Sequence, residues 1–222
     1  MIKAVIFDMD GLMLDSERIA KICWQAAGEK LGCKVDDKLF MSVVGVSEKN
    51  SEKIVTEHFG AGFDYKAFRE TIEAIKKEYV RQNGIPIKKG LKELLEYLNA
   101  KNIKTAVATS TSYCQAIEMI KNAGIFESFD HIICGDMVSK SKPEPDIYLT
   151  AMRQLDVSPD QSMVLEDSFA GITAAHAAGA YTVMIPDLIE PDEYILSLAN
   201  AMCGSLLDVI DILEKGDFGK QA

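Results

Sequence analysis

The feature that most constrains the fold is a short apolar run at residues 5–7 that ends directly in two acids, Asp8 and Asp10, followed by Gly11. A run of this kind is typical of a buried strand in a parallel sheet. Open α/β sheets bind ligands at the carboxyl ends of their strands, which is where these acids would lie. Neighbouring carboxylates repel each other unless a cation compensates them, and oxygen ligands suit Mg²⁺. The run therefore predicts a magnesium site or, in the simpler alternative, a strand that enters an Asp/Gly turn.

The second half of the chain predicts a doubly wound α/β fold. Apolar runs predict strands at residues 105–108, 131–134, 162–165 and 181–185. Leucines at helical spacing between residues 91 and 98, and a similar pattern at 113–120 before Gly124, predict helices in the gaps. Strands that alternate with helices in this way pack as a parallel sheet with helices on both faces.

Residues 16–83 look different, because helical patterns fill them and no strand pattern is convincing. Ser16 is a predicted N-cap for a helix that ends at Gly32, and Ser47 and Asp64 are predicted to start two more. The apolar face of the first helix is predicted to consist of Ile19, Ile22, Cys23 and Ala26. The pattern predicts an all-helical insert.

The predicted domain organisation follows from this difference. We expect residues 1–15 and 84–222 to form an α/β core and residues 16–83 to form a helical cap. The insert begins only five residues after Gly11. We therefore expect it to act as a lid over the acidic site.

Composition narrows the class of partner and the location. A formal net charge of −10 and a pI near 4.8 argue against a broad nucleic-acid-binding or anionic-membrane surface. The five cysteines are scattered without zinc or disulfide spacing, and the three histidines are isolated. We interpret the cysteines as reduced core thiols. With no leader pattern and no apolar stretch of membrane-spanning length, we expect a cytoplasmic protein.

Three later segments place chemically useful side chains near predicted strand ends. Thr109 and Ser110 follow one strand, Lys142 stands directly before a Pro-x-Pro segment, and Glu166 and Asp167 end another strand. Hydroxyl and ammonium groups bind phosphate oxygens, and buried acids suit a cation. Taken singly, each segment also fits a plain N-cap, a loop lysine or a strand end. Taken together with Asp8 and Asp10, they favour phosphate chemistry.

In chain order these segments resemble the motifs of the haloacid dehalogenase superfamily of phosphotransferases. The resemblance is to the branch with a helical cap after the first strand, which contains β-phosphoglucomutase and many small-molecule phosphatases. The matching positions are residues 8–11 with 15–17, Thr109, Lys142 with Pro143 and Pro145, and residues 166–168 with Gly171. The resemblance covers nearly the whole chain.

The resemblance implies a role for each acid. Asp8 would be the nucleophile that accepts the phosphoryl group as an aspartyl phosphate. Asp10 would protonate the leaving oxygen and then activate water. Asp8, the Asp10 backbone carbonyl and Asp167 would hold Mg²⁺, with Glu166 in contact directly or through water.

The resemblance also implies the phosphate-binding groups. Lys142 would neutralise charge between Asp8 and the phosphate, while the Thr109 hydroxyl and the Ser110 N–H would bind phosphoryl oxygens. Gly11 completes the expected phosphate-binding residues of the core. Ser47 and Lys49 are the expected substrate contacts of the cap.

Two departures bear on the activity. The mutases of this branch carry a histidine and a cap arginine where this chain has Ala20 and Glu48. A carboxylate at Glu48 would repel a distal phosphate, although Lys49 could replace the arginine. The sequence predicts an Mg²⁺-dependent phosphatase of a small phosphorylated metabolite, with no nucleic-acid or membrane partner, acting as a monomer or weak homo-oligomer. The alternatives are a β-phosphoglucomutase-type mutase and a non-catalytic phosphate-binding protein.

Two other classes fit the chain less well. A response-regulator receiver needs only about half this length and has no cap. A true dehalogenase requires neither Asp10 nor a metal ion, so the presence of Asp10, Glu166 and Asp167 disfavours that reading.

Overall fold

A computed structural model describes residues 1–46, 48–216 and 218 of the chain. It divides into two compact units, one formed by Met1–Leu14 with Pro86–Ala222 and the other by Asp15–Ile85. The sequence predicted these boundaries at residues 15/16 and 83/84, and the assignment of the two units as core and cap stays a prediction. Ser47, the predicted helix start and cap contact, lies outside the described residues.

The described residues form six strands and ten α-helices. The strands are β1 (Ala4–Phe7), β2 (Lys104–Thr109), β3 (His131–Cys134), β4 (Ser162–Glu166), β5 (Tyr181–Met184) and β6 (Ala201–Met202). The helices are α1 (Ser16–Lys30), α2 (Asp37–Met41), α3 (Glu48–Phe59), α4 (Tyr65–Asn83), α5 (Leu91–Ala100), α6 (Tyr113–Asn122), α7 (Asp146–Leu155), α8 (Phe169–Ala177), α9 (Glu193–Leu198) and α10 (Val209–Lys215).

The first unit is built on one parallel sheet with strand order β3-β2-β1-β4-β5-β6. The chain runs outward from β1 to β3 on one side and from β4 to β6 on the other, so the direction of winding reverses between β1 and β4. The gap at such a reversal is where doubly wound sheets bind ligands. The predicted fold class is confirmed.

The central strands are buried on both faces, which explains their continuous apolar sequence. All four residues of β1 are buried. On one face Ile6, Ala108 and Val164 join a core cluster with Ile147 and Tyr148 of α7. The core therefore holds α7 firmly against the strands whose ends form the site.

The second unit is helical and has its own aromatic core. Trp24 of α1 makes edge-to-face contacts with Phe40, at a centroid distance of 5.9 Å, and with Phe68, at 5.2 Å. Asp64 caps α4 as predicted, because its carboxylate accepts a hydrogen bond from the Ala67 N–H at 2.9 Å. The helical character predicted for this segment agrees with the observed elements.

Local predictions for α1 were wrong in two respects. Ser16 is the first helical residue, and Asp15 takes the N-cap position. Ile22, predicted to lie on the buried face, is exposed, while Trp24 and Ala27 are buried instead. The buried face of α1 is centred on the bulky Trp24 indole, and Ile22 lies outside that face.

The cysteines only partly match the prediction of core thiols. Cys23, Cys134 and Cys203 are buried, whereas Cys33 is half-buried and Cys114 is exposed. Cys114 is the second residue of α6 and lies at the exposed start of that helix.

Among the described residues, every helix is too short or too polar to cross a bilayer.

Candidate active site

Three carboxylates meet where β1 and β4 end. Asp8 directly follows β1, Glu166 is the last residue of β4, and Asp167 comes next. Each offers one oxygen to a group in which the three oxygens lie within 4.8 Å of one another. Parallel neighbouring strands that end at one edge bring these residues together.

Lys142 joins this cluster from the loop before α7. Its ammonium donates hydrogen bonds to Asp8 Oδ1 at 2.5 Å, to Glu166 Oε1 at 2.7 Å and to the Ala108 carbonyl at 3.0 Å. The side chain is only 6% exposed, and the Lys142–Pro143 peptide bond is cis. All three N–H groups of the ammonium are thus engaged, and its charge is shared between two acids.

Glu166 is wholly buried and has donors on both carboxylate oxygens. Oε1 accepts from Lys142 Nζ and from the Tyr148 hydroxyl, the latter at 2.6 Å. Oε2 accepts from the N–H groups of Asp167 and Ser168, both at 3.0 Å, and from the Ser168 hydroxyl at 2.9 Å. These five donors fix the carboxylate and offset the cost of its burial.

Two glycines leave room for the acids. A Cβ atom on Gly171 would overlap the Glu166 carboxylate, and one on Gly11 would overlap the Asp167 carboxylate. Gly11 also has φ +83°, a conformation that L side chains rarely adopt. Gly11 thus allows close approach of backbone and carboxylate, and its predicted contact with phosphate stays a prediction.

The electrostatics of the cluster favour the binding of a cation. Burial raises the pKa of Asp8 from 3.8 to about 8, against the lowering effect of Lys142. Burial is the largest cause that raises the pKa of Asp167 well above its usual range, and the negative charges of Asp8 and Glu166 raise it further. Burial also opposes the ionisation of Glu166, yet Lys142 and the other donors leave its pKa lowered. Lys142 and Glu166 are therefore the ionised pair, whereas Asp8 and Asp167 retain their protons near neutral pH unless a cation compensates their charge.

One atom shows where this compensation is lacking. Asp167 Oδ1 is buried, and no hydrogen-bond partner lies near it among the described residues. With all three acids ionised, the cluster and Lys142 together carry a surplus of two negative charges. This is the charge and donor set that suits a divalent, oxygen-liganded cation such as Mg²⁺.

The Asp10 carboxylate lies outside the cluster of three acids, which agrees with the expectation that only the backbone carbonyl of Asp10 would be a metal ligand. Its Oδ2 accepts a hydrogen bond from the Thr111 hydroxyl at 2.8 Å. The side chain is thus turned to a different partner, and only the backbone carbonyl of Asp10 stays a candidate ligand, as the resemblance implies. Thr111 was not selected from the sequence; the signal was its place in the hydroxyl run after β2.

The remaining predicted residues occupy varied positions. Thr109 is buried at the end of β2, where its Oγ1 accepts from the Thr111 N–H at 3.1 Å. Ser110 is exposed. In the second unit, Lys49 is an exposed residue of α3. Tyr148 is a site residue that motif reasoning missed, because only its place two residues into α7 and its polar tip mark it.

Comparison with known proteins supports one family. Residues 5–185 match the family of haloacid dehalogenase-like hydrolases. A phosphorylated carbohydrates phosphatase of Thermotoga maritima is 33% identical over 80% of this chain and 82% of its own length. A β-phosphoglucomutase of Bacillus subtilis is 30% identical over 82% of each chain. The crystal structure of a β-phosphoglucomutase from Clostridium difficile superposes with a TM-score of 0.74 at 26% identity, over 98% of this chain and 97% of that one. This chain belongs to the haloacid dehalogenase-like hydrolases.

Proposed function

We propose that this protein is an Mg²⁺-dependent phosphatase that hydrolyses a small-molecule phosphomonoester through an aspartyl phosphate on Asp8. Membership of the family makes the protein a hydrolase of phosphate esters. The observation that carries the finer proposal is the cluster of three acids around one lysine, with a buried oxygen of Asp167 left without a partner. Relatives that act on phosphorylated carbohydrates support a sugar phosphate or similar metabolite as substrate.

The residues present fit a magnesium ion. Asp8 and Asp167 would hold it, because their carboxylates are the ones whose charge lacks compensation. Glu166 already accepts five hydrogen bonds, so we assign it to orienting Lys142 and the Asp167 backbone. When bound, Mg²⁺ neutralises negative charge on the cluster and on the phosphoryl oxygens.

In the first chemical step, the Asp8 carboxylate would attack phosphorus while the bond from phosphorus to the ester oxygen breaks. Asp10 would give its proton to the departing oxygen, and the Thr111 hydroxyl holds the Asp10 carboxyl in a separate orientation from Asp8. Lys142, at 2.5 Å from Asp8 Oδ1, would stabilise the negative charge of the phosphoryl group while the Asp8 carboxylate attacks it.

In the second step, Asp10 would take a proton from water, whose oxygen attacks the aspartyl phosphate. The acyl phosphate bond breaks, inorganic phosphate leaves and the Asp8 carboxylate is restored. Thr109 and Ser110 would bind phosphoryl oxygens in both steps. This role is inferred from the family resemblance and from their position beside the acids at the end of β2.

Charges within the second unit favour hydrolysis over a mutase reaction. Glu48 stands where the resemblance places the cationic phosphate anchor of a mutase. Its carboxylate is 3.1 Å from Arg69 Nε, and Arg69 is also paired with Glu73 at 3.5 Å. The Glu48 carboxylate is thus partly neutralised by Arg69, but the group still contains two carboxylates and only one guanidinium. Water is therefore the proposed phosphoryl acceptor.

The other predictions from the sequence are kept as part of the proposal. They are a small phosphorylated metabolite as the only partner class, a cytoplasmic location, and a monomer or weak homo-oligomer. The lid function of residues 16–83 likewise stays a prediction.

Phosphate release from a panel of phosphomonoesters tests the proposal. The panel should include sugar phosphates, nucleotides and small phosphorylated acids, each assayed with Mg²⁺ and with excess chelator. We expect turnover that disappears in chelator and returns with Mg²⁺, because the uncompensated acids would repel a phosphate dianion. Full activity in chelator would contradict the metal assignment, and no turnover on any substrate would contradict the phosphatase assignment.

A further inference from the structure

Tyr148 contacts Lys142, which is paired with the nucleophile, and Glu166, the second acid on that lysine, without belonging to any motif noted in the sequence. It is fully buried on α7, and its hydroxyl donates to Glu166 Oε1 at 2.6 Å. The centroid of its ring lies 5.0 Å from Lys142 Nζ. A single side chain therefore contacts the ammonium with its ring and the carboxylate with its hydroxyl.

Asp8 and Glu166 compete for the same ammonium. Lys142 donates one N–H to each of these carboxylates and the third to the Ala108 carbonyl. An acid that lacks other donors attracts a buried ammonium more strongly, because the low dielectric amplifies each charge. The position of the Lys142 ammonium between the two carboxylates thus depends on which other groups donate hydrogen bonds to Glu166 Oε1.

The second donor to that oxygen is the Tyr148 hydroxyl. We propose that Tyr148 is a positioning residue whose hydroxyl satisfies Glu166 Oε1 and thereby keeps Lys142 at Asp8, the carboxylate that accepts the phosphoryl group. This inference rests on the proposed function of Asp8. It concerns the placing of Lys142, and Tyr148 itself touches none of the reacting atoms.

The surroundings of Tyr148 make it suited to this task. Ile147, Ala151 and Met152 of α7 are buried in the same core cluster, together with the β1 and β4 residues Ile6 and Val164. A hydroxyl on a rigid aromatic ring in a packed core has little freedom to move away from its acceptor. The core of the first unit therefore fixes the donor in place.

Replacing tyrosine by phenylalanine separates positioning from packing. Tyr148→Phe keeps the ring, its core contacts and its position beside Lys142, and removes only the donor to Glu166. The matched control is Tyr97→Phe, because Tyr97 also has a lysine over its ring, Lys101 at 5.5 Å, and lies on α5 away from the acids. Each purified variant is assayed for turnover, Mg²⁺ binding and thermal unfolding.

We expect Tyr148→Phe to lower kcat by about 10- to 100-fold while KM changes by less than about 3-fold. Mg²⁺ alone, titrated by calorimetry without substrate, should bind more tightly to this variant, because the cluster has lost a compensating donor. Tyr97→Phe should match the unmodified protein in both assays. In a Glu166→Gln background, Tyr148→Phe should change kcat by less than about 2-fold, since the hydroxyl acts through that carboxylate.

Unchanged kcat and unchanged Mg²⁺ affinity in Tyr148→Phe would overturn the proposal and leave Tyr148 as a packing residue. Loss of folding in this variant would overturn it equally, because the hydroxyl would then serve stability. The Mg²⁺ titration separates this inference from the proposed function. If the unmodified protein turned over no phosphomonoester, the phosphatase assignment would fail, while the effect of the hydroxyl on the acid cluster would still be measured.

Discussion

At the scale of single residues, Asp8 and Asp10 are two positions apart but have different surroundings. Asp8 is buried against Lys142 and two other acids, whereas the Asp10 carboxylate accepts from Thr111. Acids in different environments can take different chemical roles on one site. This difference is the basis for assigning the nucleophile to one and proton transfer to the other.

The first prediction separates these two roles by substitution. Asp8→Asn should abolish both turnover and phosphoenzyme formation, because an amide is not a competent nucleophile. Asp10→Asn should slow turnover by about 10²- to 10⁴-fold with KM largely kept, because only proton transfer is lost. Rapid-quench labelling with a radioactive phosphomonoester measures both. A labelled phosphoenzyme in Asp8→Asn would show that another residue is the nucleophile.

The second prediction uses the raised pKa of Asp8 in metal-free protein. Its pKa is about 8 when folded and near 3.8 when unfolded, so between these values the folded state binds more protons. The contribution of Asp8 to the free energy of unfolding is therefore fully present below about pH 4 and is lost as the pH rises towards 8. In chelator, Asp8→Asn should gain in Tm over the unmodified protein as pH rises from 5 to 8. A relative gain of about 2–4 °C corresponds to about 1 kcal/mol.

Thermal unfolding at several pH values in chelator measures this gain. The lost contact with Lys142 adds an offset that hardly varies with pH, so the trend is what matters. Added Mg²⁺ should stabilise the unmodified protein and reduce the advantage of the variant. A Tm difference that stays constant from pH 5 to pH 8 would contradict the assigned shift.

The sequence predicted the charged residues of the site better than their neutral partners. Asp8, Glu166 and Asp167 could be selected because charge at a strand end demands compensation, and Lys142 because it stands directly before a Pro-x-Pro segment. Tyr148 and Thr111 could not, because a tyrosine in a helix and a threonine in a loop have many ordinary uses. Their contacts depend on tertiary packing, which brings together residues 18 and 101 positions apart in the chain.

At the scale of secondary-structure elements, α8 approaches β4 closely because it begins with small residues. Gly171, Ala174 and Ala175 are buried, and Ser168 caps the helix by accepting from the Gly171 N–H at 3.1 Å. The same serine donates to Glu166 Oε2. The start of α8 thus helps to hold the acid at the end of β4.

The third prediction concerns this close approach. Gly171→Ala would gain about 1 kcal/mol of helix propensity in the absence of other effects. Its Cβ would overlap the Glu166 carboxylate, however, and overpacking typically costs about 1–3 kcal/mol. We expect at least about a 10-fold loss of kcat and weaker Mg²⁺ binding, because the acid must move.

Steady-state kinetics and Mg²⁺ titration check this expectation. Gly62→Ala is the matched control, since nothing lies within 4 Å of a Cβ at Gly62. That variant should behave like the unmodified protein. Normal activity in Gly171→Ala would mean that Glu166 can shift without harm and that its five hydrogen bonds are not needed for catalysis.

Helices and strands were predictable where several residues followed one periodic pattern, and unpredictable where the element was too short to show a pattern. The leucines of α5 at positions 91, 94, 95 and 98 are all buried, as their spacing predicted. β6 has only two residues at the sheet edge, and α2 has five, so neither gives a periodic signal. In α1, the buried face was misjudged because Ile22 is exposed beside the buried Trp24.

At the scale of the whole molecule, the two units have separate cores and different charge patterns. The first unit carries the acids and Lys142, and the second carries Glu48, Arg69 and Glu73 as a paired group. A mutase must retain a bisphosphate by holding both phosphates at once. At the position that the resemblance gives to the second anchor, this chain has Glu48, whose carboxylate is paired with Arg69.

The final prediction is that the protein hydrolyses phosphomonoesters and does not interconvert hexose 1- and 6-phosphates. The Glu48 carboxylate should repel a second phosphate, and its ion pair with Arg69 keeps that guanidinium from binding the phosphate. Water should therefore hydrolyse the phosphoenzyme. The test is incubation with β-glucose 1-phosphate and a trace of the 1,6-bisphosphate, following glucose 6-phosphate against inorganic phosphate. We expect phosphate to exceed glucose 6-phosphate by at least about 10-fold, the effect of about 1.4 kcal/mol. Rapid isomerisation with little phosphate release would contradict this prediction and favour the mutase alternative. In that case Lys49→Ala should lose the isomerase activity if Lys49 is the substitute anchor, whereas the control Lys53→Ala, on the same helix, should keep it.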